Sequence, residues 1–83
     1  KKENSTVTIS PNPFENSFVI EFSEKMTYPV NIEIIDNLGL KVYSEVIRKS
    51  RHKIILDNEV QQGAYFVKAF NKETLSVKRI VKN

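Results

Sequence analysis

Apolar and polar residues alternate along this chain in seven short segments, and this pattern constrains its fold more than any other feature. Every second residue of an extended strand points to the same face, so a period of two indicates half-buried β-strands. Val and Ile number nine each, whereas Leu numbers four and Ala two. Because β-branched side chains fit a pleated surface and lose rotamer freedom in helices, the sequence predicts an all-β domain. The segments lie near residues 7–9, 18–22, 30–35, 42–47, 54–56, 64–70 and 75–81.

Turn-forming residues separate these segments. Pro11, Asn12 and Pro13 follow the first segment. Each proline fixes φ and removes a backbone donor, so we predict a stiff corner at which the chain switches sheets. Asp36 and Gly39 lie between the third and fourth segments. Asp favours the first position of a turn and Gly tolerates positive φ, so this stretch predicts a β-hairpin.

Two further patterns bear on the architecture. Adjacent Ile residues at 34–35 and 54–55 place apolar side chains on both faces, which indicates strands covered on both sides or bulged. Gly63 precedes Tyr65 by two residues at the start of a strand, which is where immunoglobulin-like sandwiches have a tyrosine corner; an ordinary strand aromatic is the alternative. Seven strands with turns about every eight to twelve residues predict an immunoglobulin-like β-sandwich rather than a barrel.

The sequence offers little to support catalysis. With 83 residues the chain forms one small domain, and it contains no Cys, a single His and only two Gly, so thiolate, metal-cluster and phosphate-loop chemistries have no residues to use. Asp36 is explained by its turn, Asp57 lies in a loop, and no carboxylate pair stands out. We interpret His52 as a solvated edge residue beside Arg51 and Lys53. We therefore predict no catalytic residue, metal, cofactor or small-molecule substrate.

The net charge of +3 is concentrated in a basic turn and in the last strand. Such patches can bind nucleic acid or anionic lipid and glycan. However, Phe18, Phe22 and Phe66, which could stack on bases, alternate as core residues do. We therefore favour a solubilising role and predict no nucleic-acid partner. The basic turn contains Arg48, Lys49, Arg51 and Lys53.

Five motifs, in order along the chain, resemble one protein family. They are ISPNPF at residues 9–14, VNIEIID at 30–36, GLKV at 39–42, GAYFV at 63–67 and KRIVK at 78–82. Together they resemble the type A C-terminal sorting domain of the type IX (Por) secretion system of Bacteroidota. The resemblance covers about residues 9–82, and the order of the motifs makes it specific. It departs at Leu40, where the family usually has Lys or Arg.

This resemblance implies a function, partners and a location. Residues 6–83 would be the sorting domain of a larger cargo protein, and the polar residues 1–5 a linker remnant from that cargo. The type IX translocon and its shuttle proteins would recognise the domain in the periplasm. The domain would thereby direct the cargo across the outer membrane. A sortase-like cysteine peptidase would then remove the domain and leave the cargo at the cell surface or secreted.

Two groups of residues are candidates within this resemblance. The first is expected to be recognised by the translocon, because an exposed end strand can add to a partner's sheet or present basic side chains. It comprises Lys78, Arg79, Ile80, Val81 and Lys82. The second group is expected mainly to shape the fold. It comprises Pro11, Asn12, Pro13, Asp36, Gly39, Gly63 and Tyr65.

A different class of function stays open at this point: a non-catalytic β-sandwich binding module of a cell-surface enzyme, of the carbohydrate-binding or fibronectin-like adhesion type. Glycan sites usually expose aromatic side chains. Trp is absent, and Tyr28 and Tyr43 are the only aromatic candidates outside the apparent core face.

Overall fold

The computed structural model describes residues 7–22, 26–57 and 60–83, and every regular element in these ranges is a β-strand. This confirms the prediction of an all-β domain with seven strands. The expected linker at residues 1–5 lies outside the described residues. In the described ranges no helix has the length and apolar character to cross a membrane. The strands are β1 (Val7–Ser10), β2 (Ser17–Phe22), β3 (Val30–Asp36), β4 (Lys41–Ile47), β5 (Arg51–Ile55), β6 (Gly63–Phe70) and β7 (Leu75–Lys82).

The strands form two antiparallel sheets that pack face to face. One sheet has the order β1-β2-β5 and the other the order β4-β3-β6-β7. The hairpins β3–β4 and β6–β7 stay within the second sheet, whereas the connections before and after β5 pass between sheets. This arrangement is consistent with the immunoglobulin-like β-sandwich that the sequence predicted.

Apolar side chains at alternate positions fill the space between the sheets. On β2 these are Phe18, Ile20 and Phe22, and on β3 the inward positions 30, 32 and 34 are all fully buried. Phe14, from the connection between β1 and β2, adds an edge-to-face contact with Phe18 at 4.9 Å between ring centroids. The period of two in the sequence therefore does correspond to the inner faces of the sandwich.

The proline corner does not switch sheets, contrary to the sequence-based expectation. β1 and β2 pair with each other, with Val7 opposite Phe22 and Ser10 opposite Val19. Between them the chain crosses to the edge of the other sheet, where Phe14 forms a parallel bridge with Lys82 of β7, and then returns. The corner thus joins the two sheets at their edges without transferring the chain from one to the other.

Two other sequence ambiguities have clear outcomes. The register between β3 and β4 shifts between Ile34 and Ile35, which is the bulge offered as one alternative. Ile55, by contrast, is 59% exposed on the outer face of β5. The expectation that Phe66 is a core residue was wrong: its neighbours Tyr65 and Val67 point inward, and Phe66 lies on the outer face of the sheet, 37% exposed.

Candidate functional site

β7 carries the candidate recognition residues and forms one edge of the four-stranded sheet. It pairs with β6 along its whole length, from Leu75 opposite Phe70 to Lys82 opposite Gly63. An edge strand has one side free of sheet pairing, so its backbone and side chains are available to other segments.

The alternation along β7 separates the five candidate residues. Ile80 is fully buried and Lys82 is 5% exposed, since both point toward the interior of the sandwich. Arg79 and Val81 point to the outer face, where Arg79 is exposed and Val81 half-buried. Lys78 is exposed as well. The basic side chains that this segment presents to solvent are therefore Lys78 and Arg79.

The free edge of β7 is occupied near its end by the side chain of Asn12. The Asn12 Nδ2 group donates a hydrogen bond to the Arg79 carbonyl oxygen at 3.2 Å. The Val81 N–H donates to Asn12 Oδ1 at 3.0 Å. One side-chain amide thus supplies the donor and the acceptor that a neighbouring strand would supply, because an amide matches the polarity of a peptide group.

The backbone of Phe14 continues this pairing. Its N–H donates to the Val81 carbonyl at 2.9 Å, and the Asn83 N–H donates to the Phe14 carbonyl at 2.8 Å. We refer to the contacts of Asn12 and Phe14 with β7 as the edge clasp. The clasp uses the backbone groups of Arg79, Val81 and Asn83 that point away from β6. A partner strand could therefore pair with this part of β7 only by displacing the clasp.

Asp36 and Gly39 form the predicted hairpin between β3 and β4. The Asp36 carboxylate oxygen Oδ1 accepts hydrogen bonds from the N–H groups of Leu38 and Leu40, both at 2.9 Å. Gly39 has φ +88°, a conformation that residues with a Cβ adopt at a cost. The role of Asp36 here is to hold the turn by bonding its own downstream backbone.

Tyr65 forms the tyrosine corner that the sequence suggested. Its hydroxyl donates to the Gln61 carbonyl at 2.5 Å, and its ring is buried at the start of β6. Burial, followed by the nearby negative charge of Asp36, raises the pKa of the Tyr65 phenol. The hydroxyl therefore stays protonated as a donor. Gly63, with φ +140°, begins the strand two residues earlier.

The fold brings the separate motifs to one end of the sandwich. Asp36 pairs with Tyr65 across β3 and β6, and Gly63 pairs with Lys82 across β6 and β7. Phe14 then bridges Lys82. Motifs far apart in sequence are thus in contact or one strand apart. The motifs that contain Asp36 and Phe14 thus hold the ends of β6 and β7.

A polar cluster between the two sheets was not anticipated from the sequence. His52 of β5 points inward, and its Nε2 lies 2.9 Å from Glu45 Oε2 on β4, the facing edge strand of the other sheet. The Tyr43 hydroxyl donates to the other carboxylate oxygen of Glu45. His52 is thus half-buried and paired rather than a solvated edge residue. In the sequence, only the alternation of charged and apolar residues along β4 and β5 could have suggested that Glu45 and His52 point inward.

The cluster has shifted protonation equilibria. Burial, the hydrogen bond to Glu45 and the negative charge of Glu45 raise the pKa of Tyr43 to about 12. The hydrogen bond from Tyr43 is the largest effect and lowers the pKa of Glu45. Burial opposes it, and the interaction with His52 lowers the pKa further. A charged Glu45 is therefore favoured, which is suited to holding β4 and β5 together. Across the described ranges, no group of three or more His, Asp or Glu side chains could hold a metal ion.

The aromatic residues considered for a glycan site have other roles. Tyr28 packs edge-to-face on Phe22, with ring centroids 6.3 Å apart, and it lies against the core. Tyr43 is half-buried in the cluster with Glu45. Neither ring forms an open stacking platform of the kind that glycan sites use, so the structure adds no support for a carbohydrate-binding module.

The chain forms a small immunoglobulin-like domain with a tyrosine corner. Its sequence motifs include segments that hold the final strand in place. Residues 8–83 match the family model of the secretion system C-terminal sorting domain. The chain therefore belongs to the family of type IX secretion sorting domains. No curated protein matches the chain. A domain of this family is part of a cargo protein, interacts with the type IX secretion machinery and marks the cargo for the cell surface or for secretion. The family is in general non-enzymatic.

Proposed function

We propose that the type IX translocon and its shuttle proteins recognise this folded domain in the periplasm, principally through residues 78–82 of β7. The observation that carries the proposal is the placement of the family's terminal motif on an edge strand that two other motif regions, residues 9–14 and 63–67, hold in place. Lys78 and Arg79 present two cations to solvent on this strand. Because the edge clasp occupies the backbone near Val81, we expect recognition there to use side chains rather than strand addition.

Reporter fusions test this recognition. In a strain with a working type IX system, a reporter fused to the domain should reach the cell surface, and deletion of residues 78–83 should retain it in the periplasm. The deletion also removes Ile80 from the core, so a second variant is needed. Lys78→Ala with Arg79→Ala removes the two exposed cations and keeps the core.

A matched control comes from the basic turn. Arg48 and Lys49 are exposed and make no ion pair with other described residues. A fusion with both replaced by Ala loses the same charge and should be delivered normally. Recognition through β7 is supported if the Lys78/Arg79 variant is retained in the periplasm while the Arg48/Lys49 variant is delivered. Normal surface delivery of the Lys78/Arg79 variant and of the deletion would refute it.

The fate of the domain after export is the second part of the proposal. We infer that a sortase-like cysteine peptidase cleaves the chain upstream of the sandwich, near or before residues 1–5, and releases the cargo from the domain. The first described strand begins at Val7, so a cut there leaves the sandwich whole. Mass spectrometry of the delivered reporter should show a new carboxyl end ahead of Val7. An intact fusion at the surface would exclude cleavage.

A further inference from the structure

The outer face of the β6–β7 hairpin exposes more apolar surface than a solvated sheet face requires. Residues directly opposite each other on paired strands share a face. Arg79 lies opposite Phe66, and Val77 lies opposite Lys68. Leu75 is 63% exposed, Val77 54% and Phe66 37%. We call this surface the β6–β7 face. Its apolar residues are Phe66, Phe70, Leu75, Val77 and Val81.

The opposite sheet exposes less apolar surface on its outer face, where Ile55 is 59% exposed and Val19 is half-buried. On the outer face of β1 and β2, Thr8, Ser17 and Glu21 are polar, and on β5 the outward residues Arg51 and Lys53 are exposed cations. One sheet therefore has the largely polar outer face that is usual for an antiparallel sandwich. The β6–β7 face departs from that pattern, and contiguous apolar surface of this kind marks interaction sites.

Positive charge is interleaved with these apolar side chains. Lys68 lies 5.6 Å from the centre of the Phe70 ring, and its amine is 3.9 Å from Glu33. That same carboxylate group is also 3.9 Å from Lys41. Arg79 makes no ion pair with the other described residues. With three cations and one carboxylate, the surface complements an acidic partner.

We propose that the β6–β7 face is a docking surface for a protein of the export machinery whose contact surface has an apolar centre and carboxylates at its rim. This deepens the proposed function and rests on it. It adds Phe66 of β6, together with Leu75 and Val77 of β7, to the recognition surface; none of the three belongs to the residues proposed above.

The size and charge of the face favour a separate protein over a second copy of this chain. Two strands about 4.8 Å apart, with about 3.3 Å per residue over six residues, give an apolar area of roughly 10 by 20 Å once side chains are included. That suits the centre of a standard interface of about 800 Å² per partner and is small for an obligate homodimer. Two copies would also bring Lys68 and Arg79 against like charges.

Competition for export tests the docking. The free domain is expressed in the periplasm beside a reporter fused to the wild-type domain, and reporter delivery is measured against domain level. The test variant is Leu75→Thr with Val77→Thr, which keeps strand-favouring residues at exposed positions. The matched control is Val42→Thr with Val46→Thr, two exposed valines of β4 on the same sheet. Thermal unfolding verifies that both variants fold.

We expect the wild-type domain and the control to reduce reporter delivery equally, and the test variant to need at least about tenfold more protein for the same effect. Equal competition by the test variant overturns the docking surface and leaves the proposed function standing. Failure of the wild-type fusion to reach the surface at all overturns the proposed function and the docking with it.

Two measurements on the purified domain address other occupants of the face. Sedimentation velocity should show a monomer, and co-sedimentation with vesicles of phosphatidylglycerol and phosphatidylethanolamine should show no binding. A dimer that Leu75→Thr with Val77→Thr dissociates would overturn the proposal in favour of self-association. Vesicle binding lost in the same variant would overturn it in favour of a lipid surface.

Discussion

The edge clasp makes a quantitative prediction for Asn12. Replacing Asn12 with Ala removes the hydrogen bond to the Arg79 carbonyl and the one from the Val81 N–H. A typical intramolecular hydrogen bond contributes about 0.5–1.5 kcal/mol net. Both bonds are solvent-exposed, so values in the lower half of that range apply, and we expect the free energy of unfolding to fall by about 1–2 kcal/mol. The two backbone bonds of Phe14 remain, so the fold should persist.

Urea unfolding followed by circular dichroism measures this loss. For a domain of this size each kcal/mol lowers the melting temperature by about 4–8 °C, so thermal unfolding should show a decrease of roughly 4–16 °C. The urea m-value should be unchanged, because the same surface is exposed on unfolding. Amide hydrogen exchange gives a local readout: the Val81 N–H should exchange faster in Asn12→Ala, since it loses its acceptor.

Two further variants separate the clasp from nonspecific effects. Asn37 is an exposed turn residue whose side chain has no hydrogen-bond partner among the described residues, so Asn37→Ala should leave stability nearly unchanged. Asn12→Asp keeps the acceptor for Val81 and loses the donor to Arg79, so it should remain destabilised. If Asn12→Ala lies within about 0.3 kcal/mol of the wild type and Val81 exchange is unaltered, the clasp is not a stabilising contact.

Four other measurements follow from the structure. Tyr65→Phe removes the bond to the Gln61 carbonyl and should cost about 1 kcal/mol in urea unfolding; an unchanged midpoint would argue against the tyrosine corner. Gly39→Ala should cost about 1 kcal/mol, because φ is +88° while an added Cβ meets no atom within 4 Å, and a neutral result would mean that the turn relaxes. The pKa of Tyr43 is raised from 10.0 to about 12 in the folded state, so the protonated phenol stabilises the fold at pH values below 10. This contribution is lost as the pH rises from 10 to 12. The loss should be smaller in Tyr43→Phe. The lowered pKa of Glu45 acts at the other end of the scale: its contribution is present at neutral pH and is lost in acid as the carboxyl protonates, which unfolding below pH 5 would detect.

Local patterns in the sequence were sufficient to predict much of this fold. The strands follow from a period of two, and the hairpin follows from Asp36 and Gly39, which act on backbone within four residues. The tyrosine corner also spans only four residues, from Tyr65 to Gln61. Each of these features is settled by short-range steric and hydrogen-bonding preferences, which a single sequence displays directly.

The face of a strand is harder to predict when both faces carry apolar residues. In β6, Tyr65 and Val67 alternate with Ala64 and Phe66, so periodicity alone does not tell which pair is buried. The prediction assigned Phe66 to the core because it is a large aromatic residue, and this assignment was wrong. Burial of the other pair follows from the tyrosine corner, which requires Tyr65 to point inward.

Contacts between the two sheets could not be derived from local patterns in the sequence. Asn12 lies 67 residues from Arg79 and 69 from Val81, and a polar residue between two prolines indicates only a turn. The pairing of Glu45 with His52 likewise depends on how β4 and β5 face each other across the sandwich. Sheet order determines both contacts, and a hydrophobic period carries no information about which strands become neighbours.

The long separation of the clasp residues has a consequence for the proposed recognition of β7. Hydrogen bonds between Asn12 and β7 join segments 67 and 69 residues apart, so they form only once these distant parts of the chain have come together. The register of Arg79 and Val81 is then held on one side by β6 and on the other by the clasp. A translocon that reads side chains on this strand would therefore meet them held on both sides only when the clasp has formed. Asn12→Ala, which weakens the clasp while leaving every exposed side chain of β7 in place, should reduce reporter export by loosening that arrangement.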